Sequence, residues 1–394
     1  MVADLHSHKR VLSLFSGCGG MDIGFEGGFK IHPALYQSNY GKLNRGRLPK
    51  TSFETVFAND IRPGAKMAWN NFYRKDPDLY HLGSIVDCVK SAQRGDFEFP
   101  ECDIVTGGFP CQDFSVAGKR QGFESSKSDL GTIDYTKPTD ENRGKLYMWM
   151  KRVIELAEPK IFIAENVKGL VSLGQAKEII SKDFSEVGDG YYVFPPKVLK
   201  ASDFGIPQSR ERVFFIGINN KYISKTLLEK IEKDPENREW NPYPSPHSKK
   251  VKLKDILEDL PEPEDSSDPT HRTYSKAKWY GKHCQGQIEV NLMGAAPTIR
   301  SEHHGNIEFR RLDVSNGGKY KDEIEMGKQQ RRLTVRECAR IQTFPDDYEF
   351  VFKSIYGSVS GSEAYKLIGN AVPPLLAYHL ACRLEKLWNT YFTL

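Results

Sequence analysis

Nothing in this 394-residue chain is arranged to hold it together covalently. It has only seven cysteines, Cys18, Cys88, Cys102, Cys111, Cys284, Cys338 and Cys382, an odd and scattered set without C-x-x-C spacing. That pattern argues against a disulfide framework and against a zinc cluster, and it fits a reducing compartment. Long apolar runs are missing too. After the polar start MVADLHSHKR, the run Val11 to Phe15 is far too short for a signal core, and no segment reaches membrane-spanning length. A cytoplasmic protein with no membrane partner is expected. Charge of one sign is scarce: 56 Lys and Arg against 52 Asp and Glu leave a net +4. A nucleic-acid partner is permitted through a local patch, but the total does not argue for one. No internal repeat is visible, and His303-His304 has no accompanying ligand set, so no metal is expected. What remains is ordinary for a globular chain, 39% hydrophobic and 27% charged, and long enough for two domains.

The order of elements reads as α/β. Val11-Leu12-Ser13-Leu14-Phe15-Ser16 is a buried parallel strand running into Gly17-Cys18-Gly19-Gly20. A glycine turn between strand and helix admits a nucleotide-like ligand close to the backbone. Asp22 stands where a dinucleotide fingerprint requires glycine, so an adenosine-containing cofactor other than a dinucleotide fits better, and a plain tight turn is the rival. Thr55 to Ala58 is a second strand, ending in Asn59-Asp60; Asp60 suits either a ribose contact or a helix cap. Residues 36–53 read as a polar, basic, partly mobile surface insertion. Asp103 to Gly108 is a strand leading into Phe109-Pro110-Cys111-Gln112, which places a thiol on a loop at a strand end. The long stretch from Phe114 to Thr139 is a lid or a connector.

Helical spacing from Arg143 to Leu156 puts Leu146, Met150, Val153 and Ile154 on one face. Lys160 to Ala164 is a further buried strand, ending in Glu165-Asn166-Val167. A carboxylate there faces the ligand crevice, or else caps the next segment. Gln208-Ser209-Arg210-Glu211-Arg212 precedes the strand Val213 to Gly217. The spacing of Arg210 and Arg212 puts both guanidinium groups on one side of an extended chain, where they meet a planar oxygen-bearing ligand or form surface ion pairs. Lys221 to Arg238 reads as one charged helix, and His271 to Lys328 as loop-rich, basic and aromatic, suited to phosphate and base contacts. Thr334 with Glu337 forms a capping box, and Leu376, Leu380, Leu384 and Leu387 mark a closing amphipathic helix.

Taken together, six blocks resemble the cytosine-5 DNA methyltransferase family, of the S-adenosylmethionine-dependent, restriction-modification type. They are Phe15 to Gly20, Pro110-Cys111-Gln112, Glu165-Asn166-Val167, Gln208 to Arg212, Arg332-Leu333-Thr334 through Phe344-Pro345-Asp346, and Gly369 to Pro373, in the family's order. The resemblance implies transfer of a methyl group from S-adenosylmethionine to a cytosine flipped out of double-stranded DNA. It implies Cys111 as nucleophile, with Glu165 on the ring nitrogen and amino group, Arg212 on the 2-keto oxygen, and Arg210 supporting the loop or a phosphate. It implies a cofactor site made by Phe15, Gly17, Gly19, Gly20, Asp60, Ile61, Ser84, Ile85, Asn370 and Val372. Ser84 departs from the acid often found there, and Ala296-Pro297-Thr298-Ile299 resembles the threonine signature of the recognition region.

The expected fold is a Rossmann-like methyltransferase domain with a mixed, mostly parallel sheet, residues 1–219 and 357–394, plus a smaller loop-rich target-recognition domain, residues 220–356. The expected enzyme is monomeric, nucleoid-associated, and accompanied by a restriction endonuclease that shares its target site without a stable complex. An RNA cytosine-5 methyltransferase and a catalytically silent DNA-binding regulator are the competing readings.

Overall fold

The computed structural model describes residues 8–109, 146–172, 175–246, 249–278, 286–301 and 307–393. The first half builds an eight-stranded sheet from β1 (Lys9–Leu14), β2 (Phe53–Asp60), β3 (Tyr80–Leu82), β4 (Ile104–Gly108), β5 (Ile161–Val167), β6 (Tyr191–Val193), β7 (Lys197–Lys200) and β8 (Glu211–Asn219). Strand order is β3-β2-β1-β4-β5-β8-β6, with β7 also on β8. The first five strands are parallel, and β8 enters antiparallel beside β5. The chain thus reverses its direction of winding between β1 and β4. In an open α/β sheet that switch point, at the carboxyl ends of the strands, is where ligands sit. The expected mixed, mostly parallel sheet is what forms.

Burial on both faces explains why the central strands β4, β5 and β8 read as largely apolar runs. Side chains alternate along a strand, so Ile161 and Ile163 enter one core while Phe162 and Ala164 enter the other. One core is covered by α1 (Gly20–Glu26), α2 (Pro63–Tyr73) and the terminal helix; the other by α3 (Ile85–Arg94), α4 (Leu146–Ala157) and α5 (Ala176–Ser185). As expected, Leu146, Met150, Val153 and Ile154 of α4 are all buried.

The second half carries α6 (Lys225–Lys233), α7 (Leu253–Leu257), α8 (Pro269–Arg272), the pair β9 (Phe309–Arg311) and β10 (Arg331–Arg332), and α9 (Lys321–Glu325). It then returns through α10 (Val335–Ile341), the hairpin β11 (Phe352–Ser354) and β12 (Gly357–Val359), α11 (Gly361–Asn370) and α12 (Pro374–Phe392). The Thr334 and Glu337 capping box forms, each side chain satisfying the other's backbone N–H. Leu376, Leu380, Leu384 and Leu387 of the closing helix are all buried, as expected. Among the described residues no helix is long and apolar enough to cross a membrane.

One expectation is corrected and another is sharpened. Lys221 to Arg238 is not one helix. Ser224 caps α6, which stops at Lys233, because Pro235 bars helical geometry at Asp234 (φ −146°, ψ 78°). Residues 36–53 lie largely at the surface, as expected of an insertion, but buried anchors hold them. Tyr40, Leu48 and Phe53 are buried, Tyr40 Oη lies 3.1 Å from His379 Nε2, and Thr51 bonds the Phe25 carbonyl. Sparse apolar anchors set among glycine, proline and lysine fix this stretch against α1 and α12.

Candidate active site

The site is a cleft along the carboxyl ends of β1, β2, β4 and β5, closed by the junction between α11 and α12. Its first wall begins where β1 ends. Phe15 adopts a left-handed backbone (φ 53°), an uncommon conformation for a bulky residue and one that clusters at functional sites. Gly17 (φ 54°) and Gly19 (φ 80°) take the same region at no steric cost and turn the chain into α1. Asp60 is the hub of this turn. Its two oxygens accept the Gly17 N–H at 3.1 Å and the Arg62 N–H at 2.9 Å. Burial raises its carboxyl above the ordinary range, against the pull of those amides. Two buried tyrosines hold the loop from behind: Tyr80 Oη donates to the Gly17 carbonyl and Tyr348 Oη to the Cys18 carbonyl, each at 2.8 Å.

Of the cofactor residues expected from sequence, Phe15, Gly17, Gly20, Asp60, Ile61, Ile85, Asn370 and Val372 all line this cleft. Gly19 and Ser84 do not. Gly19 caps α1 with Trp69 against it, and Ser84 caps α3 by accepting the Val86 N–H at 3.2 Å. Gly20 is required by contact rather than by conformation. A β-carbon there would lie 2.4 Å from the Val372 carbonyl oxygen, so any side chain would push the closing junction off the loop.

The other end of the cleft is charged and buried. Glu165 sits on β5 directly beside Gly108 of β4, the strand that leads towards Cys111. It is 7% exposed. Arg212 Nε lies 2.9 Å from Glu165 Oε1 as an ion pair, without the alignment of a hydrogen bond. Burial raises the Glu165 carboxyl above its ordinary range, while Arg212 and then Arg210 pull it down. The result is a buried acid poised to hold or give a proton beside a fixed cation. Arg210 goes elsewhere: it is 1% exposed and donates to the carbonyls of Ile299 and Gly369 at 2.9 Å each. Cys111 lies outside the described residues, as do Pro110 and residues 112–145, including the stretch read as lid or connector. The backbone leading to it is held, however. Asn166 Nδ2 donates to the Phe109 carbonyl at 3.1 Å, so the residue after Glu165 anchors the strand end that precedes Cys111. Asn166 was legible only as part of the Glu165 block, and nothing in sequence pointed to Tyr80 or Tyr348, whose partners are 63 and 330 residues away.

Beneath the loop, Asp22 is 1% exposed and accepts from Ser13 Oγ at 2.6 Å and Trp69 Nε1 at 2.9 Å. Burial pushes its carboxyl up to about 6 despite those bonds. The folded chain therefore binds this proton more tightly than the unfolded chain, whose carboxyl titrates near 3.8. Its contribution to stability is fully present below about pH 4 and is lost as pH rises through about 6. Relative to wild type, Asp22→Asn is expected to gain on the order of 2–3 kcal/mol of unfolding free energy between pH 4 and pH 7. Urea titrations of both proteins across that range check it; a constant difference contradicts it.

The sequence pattern of C-5 cytosine-specific DNA methylases matches residues 9–386. The chain is 30% identical to the type II methyltransferase M.MthTI of Methanothermobacter thermautotrophicus, over 95% of this chain and 97% of that one. It is 31% identical to the type II methyltransferase M.BsuRI of Bacillus subtilis, over 94% and 78% respectively. The fold is similar to that of the S. pombe Dnmt2 methyltransferase, with a TM-score of 0.57 at 22% identity over 96% of this chain and 99% of that one. With the buried Glu165–Arg212 pair and the glycine loop sharing one cleft, the chain belongs to the C-5 cytosine-specific DNA methylase family and is a DNA cytosine methyltransferase.

Proposed function

We propose that the protein transfers a methyl group from S-adenosylmethionine to carbon 5 of a cytosine flipped out of duplex DNA, through a covalent adduct with Cys111. The observation that carries this reading is the single cleft with Glu165 and Arg212 at one end and Phe15, Gly17, Asp60, Asn370 and Val372 at the other. The donor set fits an adenosylated amino acid. Asp60 offers a carboxylate to ribose hydroxyls, Phe15 and Ile61 give apolar walls, and the glycine turn lets the ligand approach the backbone. The cofactor, when bound, supplies an electrophilic methyl group.

The chain supplies the rest. Cytosine carbon 5 is too weak a nucleophile to take a methyl group unaided. Addition of the Cys111 thiolate forms a sulfur–carbon 6 bond and moves the 5,6 electron pair onto carbon 5. Glu165 gives or shares its proton at ring nitrogen 3, and Arg212 faces the 2-keto oxygen, so the developing charge is offset where it forms. After transfer a base takes the carbon 5 proton, the electron pair restores the 5,6 double bond, and the thiolate leaves. Extrusion of the base costs a few kcal/mol, returned by contacts in the pocket. Residues 1–219 and 357–394 carry this chemistry, and residues 220–356 read the DNA. The type II relatives support a companion endonuclease with the same target, and a cytoplasmic, nucleoid-associated, monomeric enzyme is consistent with that role.

The direct test is methyl incorporation from labelled S-adenosylmethionine into duplex DNA and into transfer RNA. Incorporation into the duplex alone is expected; incorporation into RNA alone would replace the substrate, and none at all would favour a silent DNA-binding regulator. Asp60→Asn is expected to raise KM for the cofactor about 10–100-fold with kcat little changed, the cost of weakening a charged hydrogen bond of roughly 1.5–3 kcal/mol. An unchanged KM would remove Asp60 from the cofactor site.

A further inference from the structure

Three buried polar side chains lie just outside the cleft. Gln208, Arg210 and Gln342 are 0%, 1% and 0% exposed. Buried polar groups are costly unless they are paired, so what they hold is informative. Gln208 Oε1 accepts the Ile299 N–H at 3.0 Å, and its Nε2 donates to Gln342 Oε1 at 2.6 Å. Gln342 Nε2 in turn donates to the carbonyls of Ile368 at 2.8 Å and Ala371 at 3.0 Å. Arg210 spans the same gap with two bonds, Nη1 to the Ile299 carbonyl and Nη2 to the Gly369 carbonyl, each at 2.9 Å.

The two ends of this knot have different duties. Ile368 to Ala371 is the end of α11, where the Gly369 and Ala371 carbonyls find partners outside the helix, and Asn370 among them lines the cofactor end of the cleft. Ile299 belongs to the stretch proposed to read DNA. Its neighbours are zipped to the strand entrance: the Ser209 N–H donates to the Ala296 carbonyl, and the Ala296 N–H to the Pro207 carbonyl, each at 2.8 Å. The contact is also steric. A β-carbon on Gly369 would lie 2.1 Å from the carbonyl carbon and oxygen of Arg300, so these backbones touch. Neither segment can shift by an ångström without moving the other or breaking buried hydrogen bonds.

We infer that Gln208, Arg210 and Gln342 are positioning residues that couple DNA engagement to cofactor binding, by making the 296–301 segment and the 368–372 cofactor wall move as one body. This rests on the proposed function and assigns these residues no part in the chemistry. Linkage makes the effect reciprocal: DNA that engages the 296–301 segment fixes the wall that Asn370 presents, and bound cofactor fixes that segment in turn. A merely structural role would lower stability and both affinities, leaving their ratio alone.

The test uses the full chain, S-adenosylhomocysteine as a cofactor probe that cannot turn over, and a duplex carrying the methylated site mapped by bisulfite sequencing. Calorimetry gives the Kd of the probe for the free protein and for the duplex-saturated protein. In wild type the duplex is expected to tighten the probe about 5–150-fold. In Gln342→Leu the ratio is expected to fall to near one, and in Arg210→Lys by several-fold, while the free-protein Kd changes by no more than a few-fold. A wild-type ratio of one, or folded variants that keep the wild-type ratio, overturns the coupling. Should either variant fail to fold, hydrogen exchange on the wild type decides. The amides of residues 369–371 are expected to slow when the duplex alone binds, and unchanged exchange overturns the coupling. Methyl transfer to the same duplex separates the two readings: transfer with an unchanged ratio removes only the coupling, whereas no transfer removes the proposed function and this inference with it.

Discussion

Cys111→Ser is expected to lower kcat for methyl transfer to duplex DNA by at least about 10⁴-fold, the scale seen when a covalent nucleophile is removed, with cofactor affinity unchanged. A serine hydroxyl is not ionised near neutral pH and cannot add to carbon 6 without a dedicated base. No other thiol among the described residues can substitute. Burial pushes the thiols of Cys88 and Cys382 up to about 11 and that of Cys102 up to about 12. It pushes Cys18 and Cys338 higher still, so none of the five offers a thiolate at neutral pH. Stopped-flow or single-turnover methylation with the purified variant measures the loss. Retention of more than about a hundredth of wild-type kcat would mean that catalysis does not pass through this sulfur.

Glu165→Gln is expected to reduce kcat about 10²–10⁴-fold, the range for a positioned proton donor. Glutamine preserves shape and can still donate a hydrogen bond, but it cannot transfer a proton. The pH profile adds a second reading. Burial holds the wild-type carboxyl above its ordinary range, so part of it stays protonated where a surface glutamate would be fully ionised. The donor form is lost as pH rises through that raised value, and wild-type kcat should fall on that limb. The variant should lack the limb. A pH-independent wild type, or a variant with full kcat and a raised DNA KM, would make Glu165 a binding residue instead.

Much of this site was legible because catalytic residues in open α/β sheets stand at strand ends, and the strands announce themselves. Val11 to Leu14, Ile161 to Ala164 and Val213 to Ile216 are buried on both faces, which leaves runs in the sequence that are apolar but for Ser13. Asp60 and Glu165 follow such runs and Arg212 precedes one, so their convergence could be anticipated. Arg210 shows the limit of that logic. Spacing by two residues gives the side of an extended chain, not the depth a side chain reaches or the carbonyls it finds. Partners such as Tyr348 and Cys18, or Gln342 and Gln208, are set by tertiary packing across 330 and 134 residues, which local pattern does not encode. The anchoring of the stretch 36–53 escapes sequence for a related reason. Its buried Tyr40 and Leu48 have no periodicity, since irregular chain packs its anchors one at a time.

The claim on which the rest depends is a covalent bond between Cys111 and the target base. A duplex carrying 5-fluorocytosine at the target position tests it, because fluorine cannot leave as the carbon 5 proton does and the adduct cannot resolve. Incubated with S-adenosylmethionine, the wild-type protein is expected to form a complex that survives denaturation, with the modified peptide containing Cys111. Ordinary methylation of the unfluorinated duplex with no trapped complex, or a crosslink mapping to any other residue, would contradict it.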